Sequence, residues 1–415
     1  MKPIVIKKDN ESAVLFSIKL LIFIFIHSLI NAGLIGQPSD FLKAKAFEIN
    51  KQPDSAIYYF NKSIIKKPQD AKLLVQRGNA YLQQKHFELA YADFKLANLI
   101  TPDIADFDIA KFYALSNDTV NAINYLKKHL ESNFKLTQVS IRLDAHFIKF
   151  ENTKLWNTLW ASDWYSKYDF QVGEVRFMLN NNDYLGVINF TSDILKKNSN
   201  KHELYFMLAC AYFGMDNNSM AIDAFSKAIG SNHRNYEYFK GRGEVYLKIL
   251  KYKEAFADFS SAINVAPEVF SLYLERAECA YQLKQYDDAF TDITFYLSFF
   301  ENDKTALVLA GKTAFAKTNY IAALVYLNQV LKQNKNHVQA LLIRANTYYK
   351  TNLYTNALND YNNCLKLQPT NVIALRNRGQ LYFDQDNIKA ACVDWKKATQ
   401  LGDFDSNNLF LDNCR

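Results

Sequence analysis

Residues 71–104 read AKLLVQRGNAYLQQKHFELAYADFKLANLITPDI, and their pattern returns along the chain at intervals of about 34 residues, called the repeat period below. The clearest recurring residue is an alanine, found one period apart at Ala56 and Ala90 and then once in every period at Ala221, Ala255, Ala289, Ala323, Ala357 and Ala391. Four residues after each alanine comes a large apolar residue, namely Phe60, Phe94, Phe225, Phe259, Ile293, Leu327, Tyr361 or Trp395. A fixed offset between like residues indicates stacked copies of one supersecondary unit.

Each unit has the features of two short amphipathic helices. A small residue lies twelve positions before each alanine, at Ala44, Gly78, Ala209, Gly243, Ala277, Gly311, Ala345 and Gly379. A small side chain there lets the first helix approach the second closely. Where a proline follows twelve residues after the alanine, as at Pro102, it ends the second helix because it has no N–H to donate. The low content of glycine (12) and proline (7) also favours packed helices over a turn-rich β fold.

This spacing resembles that of the tetratricopeptide repeat over nearly all of the chain after residue 36. Residues 71–104 carry the resemblance best, at Leu74, Gly78, Tyr81, Ala90, Phe94, Ala97 and Pro102. The sequence departs from the family at the first of these positions, where leucine, tyrosine or phenylalanine replaces a frequent tryptophan. The resemblance implies an all-α fold, a right-handed α-solenoid of about ten helix-turn-helix units.

The repeat pattern divides the chain into regions of different regularity. We expect a leader at 1–36, N-terminal repeats at 37–136, an atypical helical segment at 137–166, a C-terminal repeat array at 167–405 and a capping helix at 406–415. The repeats at 103–136 and 167–200 are degenerate, and in the second Gly186 and Phe190 take the places of the alanine and the large apolar residue. The atypical segment does not fit the period, although its apolar residues keep helical spacing, so a break in the stack is expected there.

The first 36 residues have the layout of a secretory signal peptide. Basic residues precede an apolar stretch that is densest at Leu20–Ile26, and the small residues Ala32 and Gly33 follow it. An uncleaved membrane anchor is the alternative, but polar residues from His27 onward interrupt the stretch before it reaches the roughly 20 apolar residues that span a bilayer. We therefore expect an exported protein that is periplasmic or associated with the cell envelope.

Several classes of function find no support in the sequence. The formal net charge of +7 is spread along the chain and makes no concentrated basic patch of the kind that binds nucleic acid. The run Gly241-Arg242-Gly243 has neither the third glycine nor the preceding strand of a dinucleotide-binding loop. The histidines are single and far apart: His27, His86, His129, His146, His202, His233 and His337. We expect no metal site, no cofactor and no catalytic activity.

In proteins with tetratricopeptide repeats, partner peptides usually bind along a concave face formed by the first helices. The resemblance places the second, fifth, ninth and twelfth positions of each repeat on that face. These positions give Asn79, Lys240, Glu244, Glu278, Tyr281, Lys312, Phe315, Asn346, Tyr349, Arg376 and Gln380. The set carries no single sign of charge, and the alternative for each residue is an ordinary solvated helix face.

Two asparagines match part of the family's carboxylate clamp. Asn346 and Asn377 stand where the clamp has its asparagines, but Leu342 replaces the accompanying lysine. The motif is therefore incomplete, and we do not expect recognition of a chaperone's C-terminal carboxylate.

These observations leave three hypotheses of function. The first is a protein-interaction scaffold or co-chaperone of the cell envelope, which binds peptides or partner domains in the concave groove. The second is a regulatory module that sequesters a signalling partner. The third is an enzyme with a site in the atypical segment near Trp156 and Trp160, which would need a pocket with converging acid, base and donor groups.

The chain contains five cysteines, at Cys210, Cys279, Cys364, Cys392 and Cys414. Residues 391–414 resemble the end of tetratricopeptide proteins of Bacteroidota, which have cysteines at the last two of these places. Each of the two lies eleven residues from Asp403, where an antiparallel capping helix is expected to turn back. At about 1.5 Å per residue both lie roughly 16 Å from the turn, side by side, which predicts a disulfide in an exported protein. The alternative is two unrelated thiols.

Overall fold

A computed structural model describes residues 38–197 and 201–414, and all regular structure in these ranges is helical. It consists of 23 α-helices and one 3-10 helix within the described ranges, which confirms the predicted all-α fold of helical hairpins. No helix in this part of the chain is long and apolar enough to cross a membrane. The predicted signal peptide lies outside the described residues. The chain divides into two compact units, residues 38–269 and 270–414.

The first unit contains six hairpins and the atypical segment. Its α-helices are α1 (Asp40–Ile49), α2 (Pro53–Lys66), α3 (Ala71–Gln83), α4 (Phe87–Ile100), α5 (Asp106–Leu115), α6 (Thr119–Glu131), α7 (Gln138–Arg142), α8 (Lys154–Trp160), α9 (Lys167–Asn180), α10 (Tyr184–Lys197), α11 (His202–Gly214), α12 (Asn218–Ser231), α13 (Tyr236–Lys248) and α14 (Tyr252–Val265). The 3-10 helix spans Ile148–Phe150.

The second unit contains four hairpins followed by a single helix. Its helices are α15 (Ser271–Gln282), α16 (Tyr286–Leu297), α17 (Lys304–Ala316), α18 (Tyr320–Gln333), α19 (Val338–Lys350), α20 (Tyr354–Leu367), α21 (Val372–Asp384), α22 (Ile388–Gln400) and α23 (Phe404–Asn413). The last helix starts two residues earlier than the capping helix predicted at 406–415, because the Asp403 carboxylate accepts the Ser406 N–H at 3.0 Å and caps it.

The turn between the two helices of a hairpin contains a residue with positive φ. These residues are Lys51, Lys85, Asn117, Asn182, Asp216, Leu250, Lys284, Thr318, Asn352 and Asp386. A left-handed conformation costs a residue with a Cβ roughly 1–2 kcal/mol. A hydrogen bond around the turn offsets this cost, as where the Lys251 N–H donates to the Tyr246 carbonyl at 2.8 Å.

The recurring glycine and the large apolar residue meet between the two helices of a hairpin, which agrees with the close approach of the helices that the small residue predicts. A Cβ added to Gly379 would lie 2.6 Å from Nε1 of Trp395, and one added to Gly78 would lie 2.5 Å from Cε1 of Phe94. Both aromatic side chains are fully buried. In these hairpins the repeated spacing of small and large residues is therefore the spacing of the contact between the two helices.

One assignment within the degenerate repeat at 167–200 is wrong by one residue. Val187 and Thr191, and not Gly186 and Phe190, are fully buried at the places of the alanine and the large apolar residue. Val187 precedes Ala221 by one repeat period, so the period is kept. The Thr191 hydroxyl donates to the Val187 carbonyl at 2.6 Å, which satisfies it in the core. The pattern is hard to recognise in the sequence because this repeat has a valine in place of the alanine and a threonine in place of the large apolar residue.

A buried ion pair joins the two helices of five repeats. The pairs are Arg77–Asp93, Arg242–Asp258, Arg276–Asp292, Arg344–Asp360 and Arg378–Asp394. Nε and Nη2 of Arg344 donate to the two Asp360 oxygens at 2.7 and 2.8 Å, and Nη1 donates to Asn328 of the preceding repeat at 2.6 Å. The Arg344 guanidinium therefore fixes the geometry within one repeat and, through its third contact, between repeats.

The hairpin of α17 and α18 has lost both charges together. Ala310 and Tyr326 occupy the positions that hold the arginine and the aspartate in neighbouring repeats, and both are buried. Loss of one partner alone would leave a buried charge without its counterion, which is far more costly than loss of the pair.

The atypical segment packs on α5 and α6 and closes the end of the first hairpin stack. Phe147, Phe150 and Trp156 are buried in one apolar cluster with residues of those two helices. Nζ of Lys149 donates to the Asn117 side chain at 2.7 Å, and the Tyr165 hydroxyl donates to the Leu136 carbonyl at 2.7 Å. The segment is thus a folded cap of short helices.

This cluster shares no residue with the next one along the chain. It extends to Tyr165, and the cluster built on α9 to α13 begins at Tyr168. Earlier in the same unit, neighbouring clusters do share side chains, namely Tyr113 and Tyr125 between the second and third hairpins. The apolar core is therefore interrupted near residue 166.

A buried histidine makes the stability of this cap depend on pH. His129 on α6 is fully buried, its Nε2 accepts the Leu136 N–H at 3.1 Å, and its Nδ1 has no hydrogen-bond partner. Burial lowers the pKa of His129 from 6.5 to about 4, against the opposing charge of Asp108 and with a small further lowering by Lys111.

We expect the protein to lose about 2 kcal/mol of stability between pH 7.5 and pH 5 through His129. The unfolded chain binds the proton more tightly, so this stability is complete above pH 6.5 and is lost as the pH falls towards 4. Urea denaturation of the wild type and of His129→Gln at both pH values measures it, since glutamine can accept the same N–H without titrating. Equal pH dependence of the two proteins would contradict the prediction.

Candidate functional site

Eight of the predicted binding residues lie on the first helices of the second unit, two on each. Glu278 and Tyr281 lie on α15, Lys312 and Phe315 on α17, Asn346 and Tyr349 on α19, and Arg376 and Gln380 on α21. All eight side chains are half-buried, as expected of residues that line a surface without forming the core.

The first contact between successive first helices involves Lys312. Its Nζ lies 3.5 Å from a carboxylate oxygen of Glu278 and 3.9 Å from the ring centroid of Tyr281, both on the preceding first helix. Burial, together with the nearby Tyr286 and Glu278, raises the pKa of Tyr281, so its hydroxyl keeps its proton at neutral pH. Lys312 and Tyr281 therefore present a cation and a neutral hydroxyl side by side.

The two asparagines that match the clamp motif are in direct contact. The side-chain oxygen of Asn346 accepts a hydrogen bond from Asn377 Nδ2 at 2.9 Å and another from the Tyr361 hydroxyl at 2.6 Å. Both lone pairs of that oxygen are thereby used, which leaves the amide N–H groups of Asn346 as the donors for a ligand.

The next contact centres on Asp384 at the end of α21. The Tyr349 hydroxyl donates to one of its carboxylate oxygens, and Gln380 Nε2 donates to the other at 2.8 Å. Burial and then this carboxylate raise the pKa of Tyr349. These contacts join α15 to α17 and α19 to α21, and a role of the predicted residues in binding stays a prediction.

Arg376 forms ion pairs with the start of the last helix, α23. Its Nη1 lies 3.2 Å from Asp403 and also contacts Asp405, both at the acidic start of α23. The cation is neutralised there, so Arg376 ties the capping helix to the array and offers little charge to a ligand.

Three tyrosines that were not predicted from the sequence lie beside these residues and extend their aromatic rings into a row. Tyr286, Tyr320 and Tyr354 begin the second helices and lie one repeat period apart, which is the signal that could have revealed them. Their ring centroids lie 5.5 Å from Tyr281, 5.8 Å from Phe315 and 6.1 Å from Tyr349, respectively. All six rings are half-buried, and three successive repeats each contain one such aromatic pair. We call these six rings the aromatic row.

The three remaining predicted residues lie in the first unit. Asn79 lies on α3, half-buried, and Lys240 and Glu244 lie on α13, where they form an ion pair one helical turn apart. A role for them in binding stays a prediction.

The region around Trp156 and Trp160 contains aromatic packing. The Trp156 ring centroid lies 5.6 Å from that of Trp160 and 6.4 Å from that of Phe147, and Arg142 lies 5.6 Å from the Trp160 ring.

Residues 38–197 and 201–414 contain no group of three or more His, Cys, Asp and Glu side chains that could hold a metal ion. A shallow cleft of 610 Å³ lies elsewhere, between the start of α3 and Phe134.

The two cysteines near the C-terminus form a disulfide. Cys392 on α22 is bonded to Cys414 at the end of α23, with Cα atoms 5.7 Å apart. Cys279 and Cys364 are buried free thiols, and Cys210 is a half-buried one. The disulfide and the Arg376 ion pairs hold the capping helix at two places.

Family models of tetratricopeptide repeats match three parts of the chain. Two matches cover residues 71–104 and 202–233, and two overlapping ones cover 308–363 and 345–386. These segments show that the chain contains tetratricopeptide repeats. No curated protein sequence matches it.

Several solved structures have a similar fold. A tetratricopeptide repeat protein from Parabacteroides merdae is 17% identical, with 60% of this chain and 99% of that chain covered and a TM-score of 0.47. The C-terminal part of a repeat protein from Cytophaga hutchinsonii is 15% identical, with 59% and 99% covered and a TM-score of 0.48. A chain of the APC/C Cut9–Hcn1 complex is 13% identical, with 98% and 95% covered and a TM-score of 0.47.

Proposed function

We propose that the chain is a protein-interaction scaffold that holds an extended segment of a partner protein along the first helices of residues 270–414. The observation that carries the proposal is the aromatic row, in which three repeats in succession present a half-buried ring pair. Polar groups lie at two of these pairs: Lys312 over the Tyr281 ring, and Asp384 at the Tyr349 hydroxyl. Aromatic pairs bury apolar area at little entropic cost, while the polar groups fix the register of a bound backbone.

The proposal places the scaffold outside the cytoplasm, in the periplasm or at the cell envelope. Two features support this location: the basic and apolar pattern of residues 1–36, and the disulfide between Cys392 and Cys414. Disulfides form and persist in oxidising compartments and are rare where thiols are kept reduced. No enzymatic role is proposed.

Co-purification from envelope fractions tests this function. We expect the wild type to recover a defined partner, and the variant Tyr281→Ala/Phe315→Ala/Tyr349→Ala to recover at least about tenfold less of it, because aromatic side chains dominate the energetics of interfaces. The matched control is Ile321→Ala, which removes an exposed apolar side chain on α18 outside the aromatic row. Recovery of the wild type alone, or only from the cytosol, would refute the proposal.

A further inference from the structure

Helix α9 begins the repeat that follows the atypical segment, and one of its faces is uncovered. Phe170 is 59% exposed and Phe177 is 69% exposed, although both are large aromatic residues. Gly173 lies between them, and the spacing of three and then four residues puts all three on one side of the helix. A Cβ added to Gly173 would meet no atom within 4 Å. We call Phe170, Gly173 and Phe177 the α9 face.

The same positions are buried in the other repeats of the array. At successive repeat periods after Phe177 come Ala211, Val245, Cys279, Thr313, Thr347 and Leu381, all with no exposure. At successive repeat periods after Phe170 come Leu204, Tyr238, Leu272, Ala306, Ala340 and Ala374, also buried. On α13 this face stacks on the preceding repeat. The α9 face is therefore a stacking surface that lacks its neighbour.

The repeat two places further on shows what such a neighbour is. Gly241 on α13 corresponds to Gly173, two repeat periods earlier. A Cβ on Gly241 would lie 2.5 Å from Cε1 and Cζ of Phe225, which belongs to α12, the second helix of the preceding repeat. The same residue type at the same repeat position thus holds an aromatic ring in one case and faces open space in the other.

Residues 38–197 and 201–414 do not supply this neighbour for α9. The preceding second helix, α6, is buried under the atypical segment, whose Phe147 and Trp156 share its apolar cluster. That cluster ends at Tyr165, whose ring centroid lies 6.3 Å from that of Phe170 at the margin of the α9 face. The cap that closes the first stack therefore leaves the start of the next stack uncovered.

We propose that the α9 face is a docking site for an amphipathic helix of a partner protein, which takes the place on α9 that α12 takes on α13. Because the α9 face corresponds to the face of α13 that packs on α12, the properties of α12 indicate those of the partner helix. It spans about three to four turns, the length of the second helices, and places a large apolar or aromatic side chain on Gly173 between Phe170 and Phe177. This site differs from the aromatic row in position and in the form of its ligand, a helix and not an extended segment.

A peptide from the chain itself is a suitable probe. Residues 217–232, NNSMAIDAFSKAIGSN, contain α12 and its capping asparagine, and carry Phe225. We expect the fluorescein-labelled peptide to bind the full chain saturably in fluorescence anisotropy. Phe177→Asp and Gly173→Leu in the protein, and Phe225→Ala in the peptide, should each weaken binding at least about tenfold, as truncation or obstruction of a central aromatic contact does.

The matched control is Leu185→Asp, which changes an equally exposed apolar residue on the neighbouring helix α10 outside the α9 face. Circular dichroism of each variant should equal that of the wild type, since all three substituted residues are exposed. Absence of saturable binding up to about 1 mM peptide would overturn the proposal. Equal weakening by Leu185→Asp and Phe177→Asp would also overturn it.

Sedimentation of the full chain separates a partner helix from a second copy. We expect the wild type and Phe177→Asp to have the same mass in solution. A wild-type dimer that Phe177→Asp converts to a monomer would show that a second copy of the chain covers the α9 face, and would refute the partner-helix proposal.

Discussion

Replacing Asp360 with alanine is expected to destabilise residues 270–414 by about 3 kcal/mol. The Arg344 guanidinium would then stay between helices without its counterion, and arginine cannot escape the cost by losing its proton. A fifth of the Arg344 side chain is exposed, so water can reach it and the loss should fall at the lower end of the range for broken buried pairs. Urea denaturation followed by circular dichroism measures the change.

The chain supplies the control for this experiment in its own uncharged repeat. The double variant Arg344→Ala/Asp360→Tyr introduces the residues found at Ala310 and Tyr326, which pack there without charge. We expect it to recover most of the stability that Asp360→Ala loses, because no buried charge remains unpaired. A double variant as unstable as the single one would show that the arginine contributes mainly through its packing and not through the ion pair.

Reducing the disulfide between Cys392 and Cys414 is expected to cost about 3 kcal/mol of stability. The bond closes a loop with a sequence separation of 22 residues, and cross-links of this length restrict the unfolded chain by roughly that amount. The local effect should be largest on α23, whose amides should exchange hydrogen faster after reduction. Denaturation with and without dithiothreitol measures the first effect and hydrogen exchange the second.

The control for the reductant is Cys392→Ser/Cys414→Ser. This variant should have the stability of the reduced wild type and should not respond to dithiothreitol. A wild type whose denaturation midpoint is unchanged by the reductant would contradict the prediction, since the three remaining thiols are already free.

The repeat period was sufficient to predict the hairpins and their internal contact. Gly78 against Phe94 and Gly379 against Trp395 follow from the spacing within a repeat, because the small and large residues must face each other for the helices to pack. The ion pairs also have a signal in the sequence, because the arginines recur with the period and each is followed by an aspartate at one constant spacing. The signal is easily overlooked, since buried positions are usually predicted from apolar residues and not from charged ones. Thr191 could not be predicted from residue type, because a threonine is not the large apolar residue that other repeats have at this buried position.

Contacts across repeats are harder to predict from sequence. Whether Asn346 contacts Asn377, or Arg376 contacts Asp403, depends on the angle between successive hairpins, which the spacing of residues does not encode. The α9 face is the extreme case. Its residues lie at the expected positions of the repeat period, but the period does not predict whether another helix packs on them.

The gap in the apolar core near residue 166 has a consequence for cooperativity. In a linear array each repeat is stabilised by its own contacts and by coupling to its two neighbours, as in a one-dimensional Ising chain. No side chain belongs to both of the clusters that meet at this gap, and Tyr165 reaches across it only to the exposed ring of Phe170, so the coupling term at this place in the array is small. Unfolding that starts on one side should therefore stop at the gap. A helix bound to the α9 face would stabilise the C-terminal block by replacing its missing neighbour, while the N-terminal block would gain nothing.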